Sequence, residues 1–284
     1  MFGEGLSITD GAWGTELHKL GLKPGESCER LNLEAPEMVV QVARSYVEAG
    51  SNVILTNSFQ ANPFVLERHG LADRAFEINK QAVELSRRAA GERARVFASM
   101  GPSGKMILSD EVTADQLIAG FVEQVKGLVA GRPDAIILET FADLDEWKLA
   151  ARAVKDVTDL PVIGCFTFDS GPDKSRTMMG VSVTDAVAAA EELGLAGVGA
   201  NCGLGVENYL PIARAYRDAT TLAVWIKPNA GLPRQEGDRV VYQQTAEEFA
   251  QHAMKIAELK INFLGGCCGT TPAHIAAMNR SLSH

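Results

Sequence analysis

Eight short apolar runs alternate with eight longer amphipathic stretches along this chain of 284 residues. The runs are Ser7–Asp10, Val53–Asn57, Val96–Gly101, Ala135–Glu139, Val162–Phe166, Gly197–Asn201, Ala223–Lys227 and Asn262–Gly266. Most are continuously apolar rather than alternating, as strands covered on both faces should be. Helical spacing fills the intervals: Pro36–Glu48, Ala72–Ala90, Ala114–Val129, Leu144–Val157, Thr184–Leu193, Glu207–Arg217, Ala246–Leu259 and Pro272–Leu282. Thr113 with Gln116 and Thr245 with Glu248 read as capping boxes, and Thr271 places a cap before a proline at the first helical position. A strand followed by a helix, eight times over, predicts an α/β fold, a single (β/α)8 TIM barrel spanning residues 1–284 as one domain. The rival is a doubly wound open sheet. Its usual glycine fingerprint after the first strand is replaced here by Asp10-Gly11-Ala12-Trp13-Gly14-Thr15. Two stretches, Asp169–Val183 and Pro228–Tyr242, read as long loops, the second as a hairpin turning at Glu236-Gly237-Asp238.

Composition narrows the function classes. The net charge of −9 argues against nucleic acid or an anionic membrane as partner. No apolar stretch reaches the length of about 18 residues that a membrane helix needs, and the first residues lack the basic and apolar regions of a signal peptide. Five cysteines in a chain of this length do not make a disulfide scaffold. The expected compartment is the reducing cytoplasm, where free thiols are available to a metal.

In a barrel the chemistry gathers at the C-terminal ends of the strands. Three cysteines fall there: Cys202 at the end of the sixth strand, and Cys267 and Cys268 side by side at the end of the eighth. Successive side chains leave an extended backbone in opposite directions, so joining the adjacent pair at one point needs a turn. Gly265, Gly266 and Gly269 flank it. Three thiolates around zinc leave a fourth, open position, the arrangement of a site that does chemistry. Such a site suits a sulfur ligand, because coordination ionises a thiol whose free pKa is about 8.5. The alternatives are a pair packed as small buried residues, or a vicinal disulfide. Asp10 and Glu139 also end apolar strands. Each could take a substrate ammonium, or could cap a helix or pair with a basic side chain. Cys165 lies inside the fifth strand and reads as core, Cys28 lies in a polar loop, and the histidines read as surface or packing residues.

Taken together, Asp10-Gly11-Ala12-Trp13-Gly14-Thr15, Leu55-Thr56-Asn57-Ser58-Phe59, Glu139-Thr140-Phe141, Gly199-Ala200-Asn201-Cys202, Lys227-Pro228-Asn229-Ala230-Gly231 and Gly265-Gly266-Cys267-Cys268-Gly269-Thr270-Thr271-Pro272 resemble the homocysteine S-methyltransferase family. Within it the nearest likeness is to the homocysteine-binding domain of cobalamin-dependent methionine synthases. The resemblance implies Zn2+ held by Cys202, Cys267 and Cys268, with L-homocysteine bound through sulfur as the methyl acceptor. It implies that Asp10 and Glu139 hold the amino group, and that Asn57, Ser58, Gly101 and Ser103 hold the carboxylate or line the pocket beside Asn201. No folate or cobalamin domain is expected in this stretch of sequence, and the expected methyl donor is a separate corrinoid protein bearing methylcobalamin, or a methylfolate-linked system. A small onium donor such as betaine or S-methylmethionine is the alternative, as is a related thiol methyltransferase or demethylase with a different acceptor. A homo-oligomer is left open.

Overall fold

The computed structural model describes residues 5–107, 111–236 and 239–282. Among them one eight-stranded sheet is formed by Ser7–Ile8, Val53–Ile54, Arg95–Met100, Ala135–Phe141, Val162–Phe166, Gly197–Gly205, Ala223–Asn229 and Phe263–Leu264. The strands pair in parallel, in the order first, eighth, seventh, sixth, fifth, fourth, third, second. The open seam between first and second strands is bridged at Asn52. Its amide donates to the Ile8 carbonyl at 2.7 Å, and its side-chain oxygen accepts from the Ile8 amide at 3.1 Å. The sheet is thereby rolled into the expected (β/α)8 barrel.

Inside it, Val53, Leu55, Phe97, Ala135, Ile137, Ile163, Cys165, Trp225 and Phe263 form a separate buried cluster. Trp225 stacks on Phe97 at 5.9 Å and packs at a tilt against Phe263 at 5.0 Å between ring centroids. Side chains two apart on a strand share a face. The residues two positions beyond Phe97, Ile137 and Trp225 therefore also point inward, one layer nearer the C-terminal rim. They are Ser99, Glu139 and Lys227. The barrel is thus apolar through its middle and becomes charged one step higher.

The outer layer follows the expected helices closely. Both anticipated capping boxes form, and a third at Ser182 and Asp185 was not legible as one, since Asp replaces the usual Glu or Gln. The helix expected from Ala72 opens as a 3-10 turn, Ala72–Arg74, before Ala75–Ala90. That expected from Glu207 likewise opens as Val206–Asn208 before Tyr209–Ala219. Three short helices, Trp13–Lys19, Leu31–Glu34 and Pro63–Glu67, have no counterpart in the sequence reading, being too short to show a period. The hairpin pairs Arg234–Glu236 with Arg239–Val241 in antiparallel register. The Gly237-Asp238 part of its expected turn lies outside the described residues. No helix among the described residues is long and apolar enough to cross a membrane.

The close strand packing makes one position sensitive. A Cβ added at Gly199 would fall on the backbone carbonyl of Trp225 in the neighbouring strand. Backbone cannot yield as a side-chain tip can, so Gly199→Ala is expected to cost at least ~3 kcal/mol, the upper end of ordinary overpacking. Chemical denaturation reads this directly, and a midpoint equal to the parent's would contradict it.

Candidate metal and substrate site

Two irregularities at the barrel rim aim the site residues. The sixth strand continues past Asn201, and its register against the seventh shifts between Asn201 and Gly205. Within that shift Cys202 takes a left-handed backbone, φ +62°. The fourth strand shifts register between Leu138 and Phe141, where Thr140 has φ +67°. Bulges of this kind re-aim side chains at barrel rims. The Tyr209 hydroxyl donates to the Cys202 carbonyl at 2.5 Å and holds the bend.

The adjacent cysteines sit in the turn that their glycines predict. The Thr270 amide donates to the Cys267 carbonyl at 3.1 Å, and Gly269 takes φ +79°. A Cβ at Gly269 would collide with the Tyr242 ring, so both the conformation and the space call for glycine. The Cys267 amide donates to the Pro228 carbonyl at 2.7 Å, and the Ala230 amide to the Cys268 carbonyl at 3.0 Å. The end of the seventh strand and the residue after it thus cradle the pair.

The result is a cluster of three free thiols, Cys202, Cys267 and Cys268, whose sulfurs all lie within 4.8 Å of one another. Cys202 and Cys268 are 3.8 Å apart at sulfur. Tetrahedral zinc with bonds of about 2.3 Å requires sulfur separations of about 3.8 Å, so the donor set fits the ion. Hydrogen bonds among the sulfurs act on Cys268 in both directions, and the neighbouring Cys267 thiol and burial carry the balance, pushing Cys268 up to about 12. Three such thiols cannot ionise together unaided; a cation among them would supply the missing charge.

Cys202, Cys267 and Cys268 line one side of a cavity of about 240 Å³ at the C-terminal rim. Glu139 and Lys227 form its floor, and Trp13, Asn57 and Ser58 contribute to its walls. A larger groove of about 480 Å³ lies at the opposite end, lined by Lys155, Pro161 and Asn262, away from the thiols.

Glu139 is buried, and the Ser99 hydroxyl donates to its Oε1. Burial pushes its pKa up, although Lys227 and the Ser99 hydrogen bond pull against it. Asn201 links this carboxylate to the thiols. Its side-chain nitrogen is 3.5 Å from Glu139 Oε2, 3.8 Å from Cys267 Sγ and 2.7 Å from Thr140 Oγ1. Its oxygen accepts from the Thr140 amide at 2.8 Å. Asp10 is fully buried and engaged by three donors: Lys227 Nζ at 2.5 Å, the Trp13 indole at 2.7 Å and the Leu55 amide at 2.8 Å. Burial lowers the Lys227 pKa, but the carboxylates of Asp10 and Glu139 outweigh it and hold the group above the ordinary lysine value.

The remaining expected residues divide. Asn57 and Ser58 line the cavity, yet their side chains serve the scaffold. Asn57 donates to the Cys28 carbonyl at 2.7 Å and to Asn32 Oδ1 at 2.9 Å, while Ser58 donates to the Ser99 carbonyl at 2.7 Å. Gly101 and Ser103 stand outside the lining. The Gly101 amide donates to the Phe59 carbonyl at 2.8 Å, and Ser103 gives both its amide and its hydroxyl to Glu146 Oε1, at 2.7 and 2.6 Å. Sequence reading passed over Lys227 and Ser99 as site residues. The two-residue step along each strand was the signal that could have found them. His274 is buried, with Nε2 3.0 Å from the Gln244 carbonyl oxygen, and packs as expected.

The chain is 30% identical to methionine synthase of Mycobacterium tuberculosis over 288 residues, covering 95% of this chain and 24% of that protein. Methionine synthase of Mycobacterium leprae matches at the same identity and coverage. The chain thus spans about a quarter of the length of these relatives. Among solved structures, the metallated form of the homocysteine methyltransferase MmuM from Escherichia coli superposes with a TM-score of 0.80 at 24% identity, over 98% of this chain and 96% of that one. The homocysteine S-methyltransferase family model matches residues 7–282, so the chain belongs to the homocysteine S-methyltransferase family, a family of methyltransferase enzymes.

Proposed function

We propose that this chain methylates the sulfur of L-homocysteine to give methionine, with Zn2+ held by Cys202, Cys267 and Cys268. The observation that carries the reading is the opening of a three-thiol cluster and a buried carboxylate, Glu139, into one small cavity. The metallated form in which MmuM was solved supports a metal at such a cluster. Zinc bound there keeps a substrate thiol ionised at neutral pH.

The chain's own residues do the rest. Glu139 faces the cavity as a carboxylate without hydrogen-bond donors enough to fill it, and receives the amino acid's ammonium. Asn201 holds the Thr140 bulge and stands between Glu139 and Cys267, fixing the distance between ammonium and sulfur. The wall at Asn57 and Ser58 takes the carboxylate end, with Gly101 and Ser103 bracing the loops behind it. The reaction forms a carbon–sulfur bond as the methyl group leaves its donor, and the thiol proton is released to solvent. A fixed thiolate in a cavity of this size gains from orientation and from exclusion of water.

The likeness to methionine synthase supports a methyl group delivered from a methylated corrinoid protein or a methylfolate-linked system. Five free cysteines fit a reducing cytoplasm. Methionine formation from homocysteine with a panel of donors tests the reading: methylcobalamin on a corrinoid protein, methylfolate, betaine and S-methylmethionine. Turnover with a corrinoid donor supports it. Turnover with an onium compound alone keeps the acceptor and replaces the donor, and no methionine from any of them overturns the reading.

Glu139→Gln removes the charge and keeps the shape. A hydrogen bond to a charged group is worth about 1.5–3 kcal/mol. The homocysteine KM should therefore rise about 10- to 100-fold while the metal content stays that of the parent. An unchanged KM would remove Glu139 from the binding site.

A further inference from the structure

We propose that Tyr242 is a positioning residue of the metal centre, its hydroxyl donating to the Cys268 sulfur, and that residues 242–245 form a strap across the two elements that carry the cysteines. This rests on the metal reading above.

The hairpin of Arg234–Glu236 and Arg239–Val241 delivers Tyr242 to the rim. The Tyr242 ring lies against Gly269, where an added Cβ would fall on its Cγ and Cδ2. Only a glycine beside the vicinal cysteines lets the ring come so close. From that seat the Tyr242 side chain hydrogen-bonds the Cys268 side chain. A phenol of ordinary pKa, about 10, keeps its proton at neutral pH, whereas a thiolate can only accept. Tyr242 is therefore the donor, and its bond favours the ionised form of Cys268.

Gln244 continues the strap in two directions. Its side-chain nitrogen donates to Glu207 Oε2 at 3.1 Å. Glu207 stands in the turn Val206–Asn208, directly after the strand Gly197–Gly205 that carries Cys202. The Gln244 carbonyl accepts from His274 Nε2 at 3.0 Å. A carbonyl only accepts, so this bond puts the ring proton on Nε2. Nδ1 is left to accept from the Thr271 hydroxyl at 3.0 Å and the Thr271 amide at 3.3 Å. His274 belongs to the helix Pro272–Leu282, which follows the vicinal pair. Thr245 ends the strap by capping the helix Ala246–Ala257. One short segment thus touches the end of the sixth strand and the start of the last helix, on either side of the three sulfurs.

The hydrogen bond has a chemical consequence. Three thiolates put more negative charge around a dication than neutrality needs. A donor on one sulfur draws part of that charge away and leaves the cation more able to polarise a further ligand. It also fixes where that sulfur points.

Tyr242→Phe keeps the ring on Gly269 and removes only the hydroxyl. Two measurements follow it, and neither needs a methyl acceptor. Competition with a chelator gives the Zn2+ affinity, which should fall about 10- to 100-fold. The thiolate-to-metal charge-transfer band of the Co2+-loaded protein should move to lower energy, because a sulfur without a hydrogen bond holds its electrons less tightly. A band at the parent's position, with or without a loss of affinity, shows that the hydroxyl does not act on the sulfur and overturns the proposal. Gln244→Ala tests the strap separately. It should weaken Zn2+ about 10-fold while the band stays where the parent has it, and an undiminished affinity overturns the strap. A parent protein that takes up neither Zn2+ nor Co2+ overturns the metal reading itself. That failure is distinct because it appears before any residue is changed.

Discussion

Cys267→Ala and Cys268→Ala are each expected to lose bound metal and methyl transfer together. Each sulfur is one of three, with all three within 4.8 Å. No other described histidine, cysteine or carboxylate joins the cluster to replace it. Changes merely in the shell around a metal cost about 10- to 100-fold in affinity or activity. Removing a ligand outright should exceed that and bring turnover to the uncatalysed level. Metal content after dialysis and methionine formation are the paired measurements. The cluster also predicts a coupling with pH. Metal binding requires deprotonated sulfur, and Cys202 and Cys268 are each pushed up to about 12 in the free cluster. Loading the apo-enzyme should therefore release protons and weaken as pH falls. A cysteine variant that keeps full activity in the presence of a chelator would overturn the metal assignment. Loss of activity with full metal retention would move the fault to the substrate side of the site.

Lys227→Met should be the most destabilising of the charge changes at this site. The residue is buried in a barrel interior, and its ammonium is the only cationic partner that Asp10 has among the described residues. Removing one member of a buried ion pair strands the other, at a cost of about 3–5 kcal/mol. For a domain of ordinary stability, about 5–15 kcal/mol, that is a large share. Asp10→Asn/Lys227→Met removes both charges. It should recover most of the loss, since the asparagine oxygen can still accept from the Leu55 amide and the Trp13 indole. Urea midpoints for the single and double variants measure this. A single variant within about 1 kcal/mol of the parent would show that the Lys227–Asp10 pair does not carry this share of the stability. The thiols supply an internal control. If metal content of the double variant equals the parent's, the pair has been replaced without disturbing the cluster.

How much of this was legible beforehand follows from the range of each interaction. The barrel was legible because it depends on local periodicity. Short continuous apolar runs such as Ala135–Glu139, set between helical periods, read as strands covered on both faces, and the capping residues Thr113 and Thr245 mark helix starts within three residues of themselves. The vicinal cysteines announced a turn by their glycines, and Gly269 at φ +79° is that turn. Strand ends were less legible. The first strand was expected to reach Asp10 and stops at Ile8, and the eighth was expected to reach Gly266 and stops at Leu264. Beyond those points Asp10, Gly266 and Cys267 bond to one another's elements and to the end of the seventh strand rather than in a regular ladder.

The sequence by itself determined the architecture, the rim on which the chemistry stands and the three sulfurs, because residue type and period act over a few neighbours. The tertiary structure alone decided how the charges are shared. Asp10 and Glu139 look alike in sequence, each a carboxylate ending an apolar strand. Lys227 lies 217 positions from Asp10 along the chain and 2.5 Å from it in space. Barrel closure brings it to Asp10 and leaves Glu139 facing the cavity beside the thiols. The strength of a charge depends on its nearest counter-charge and on the water excluded around it. Neither quantity exists until distant strands have met.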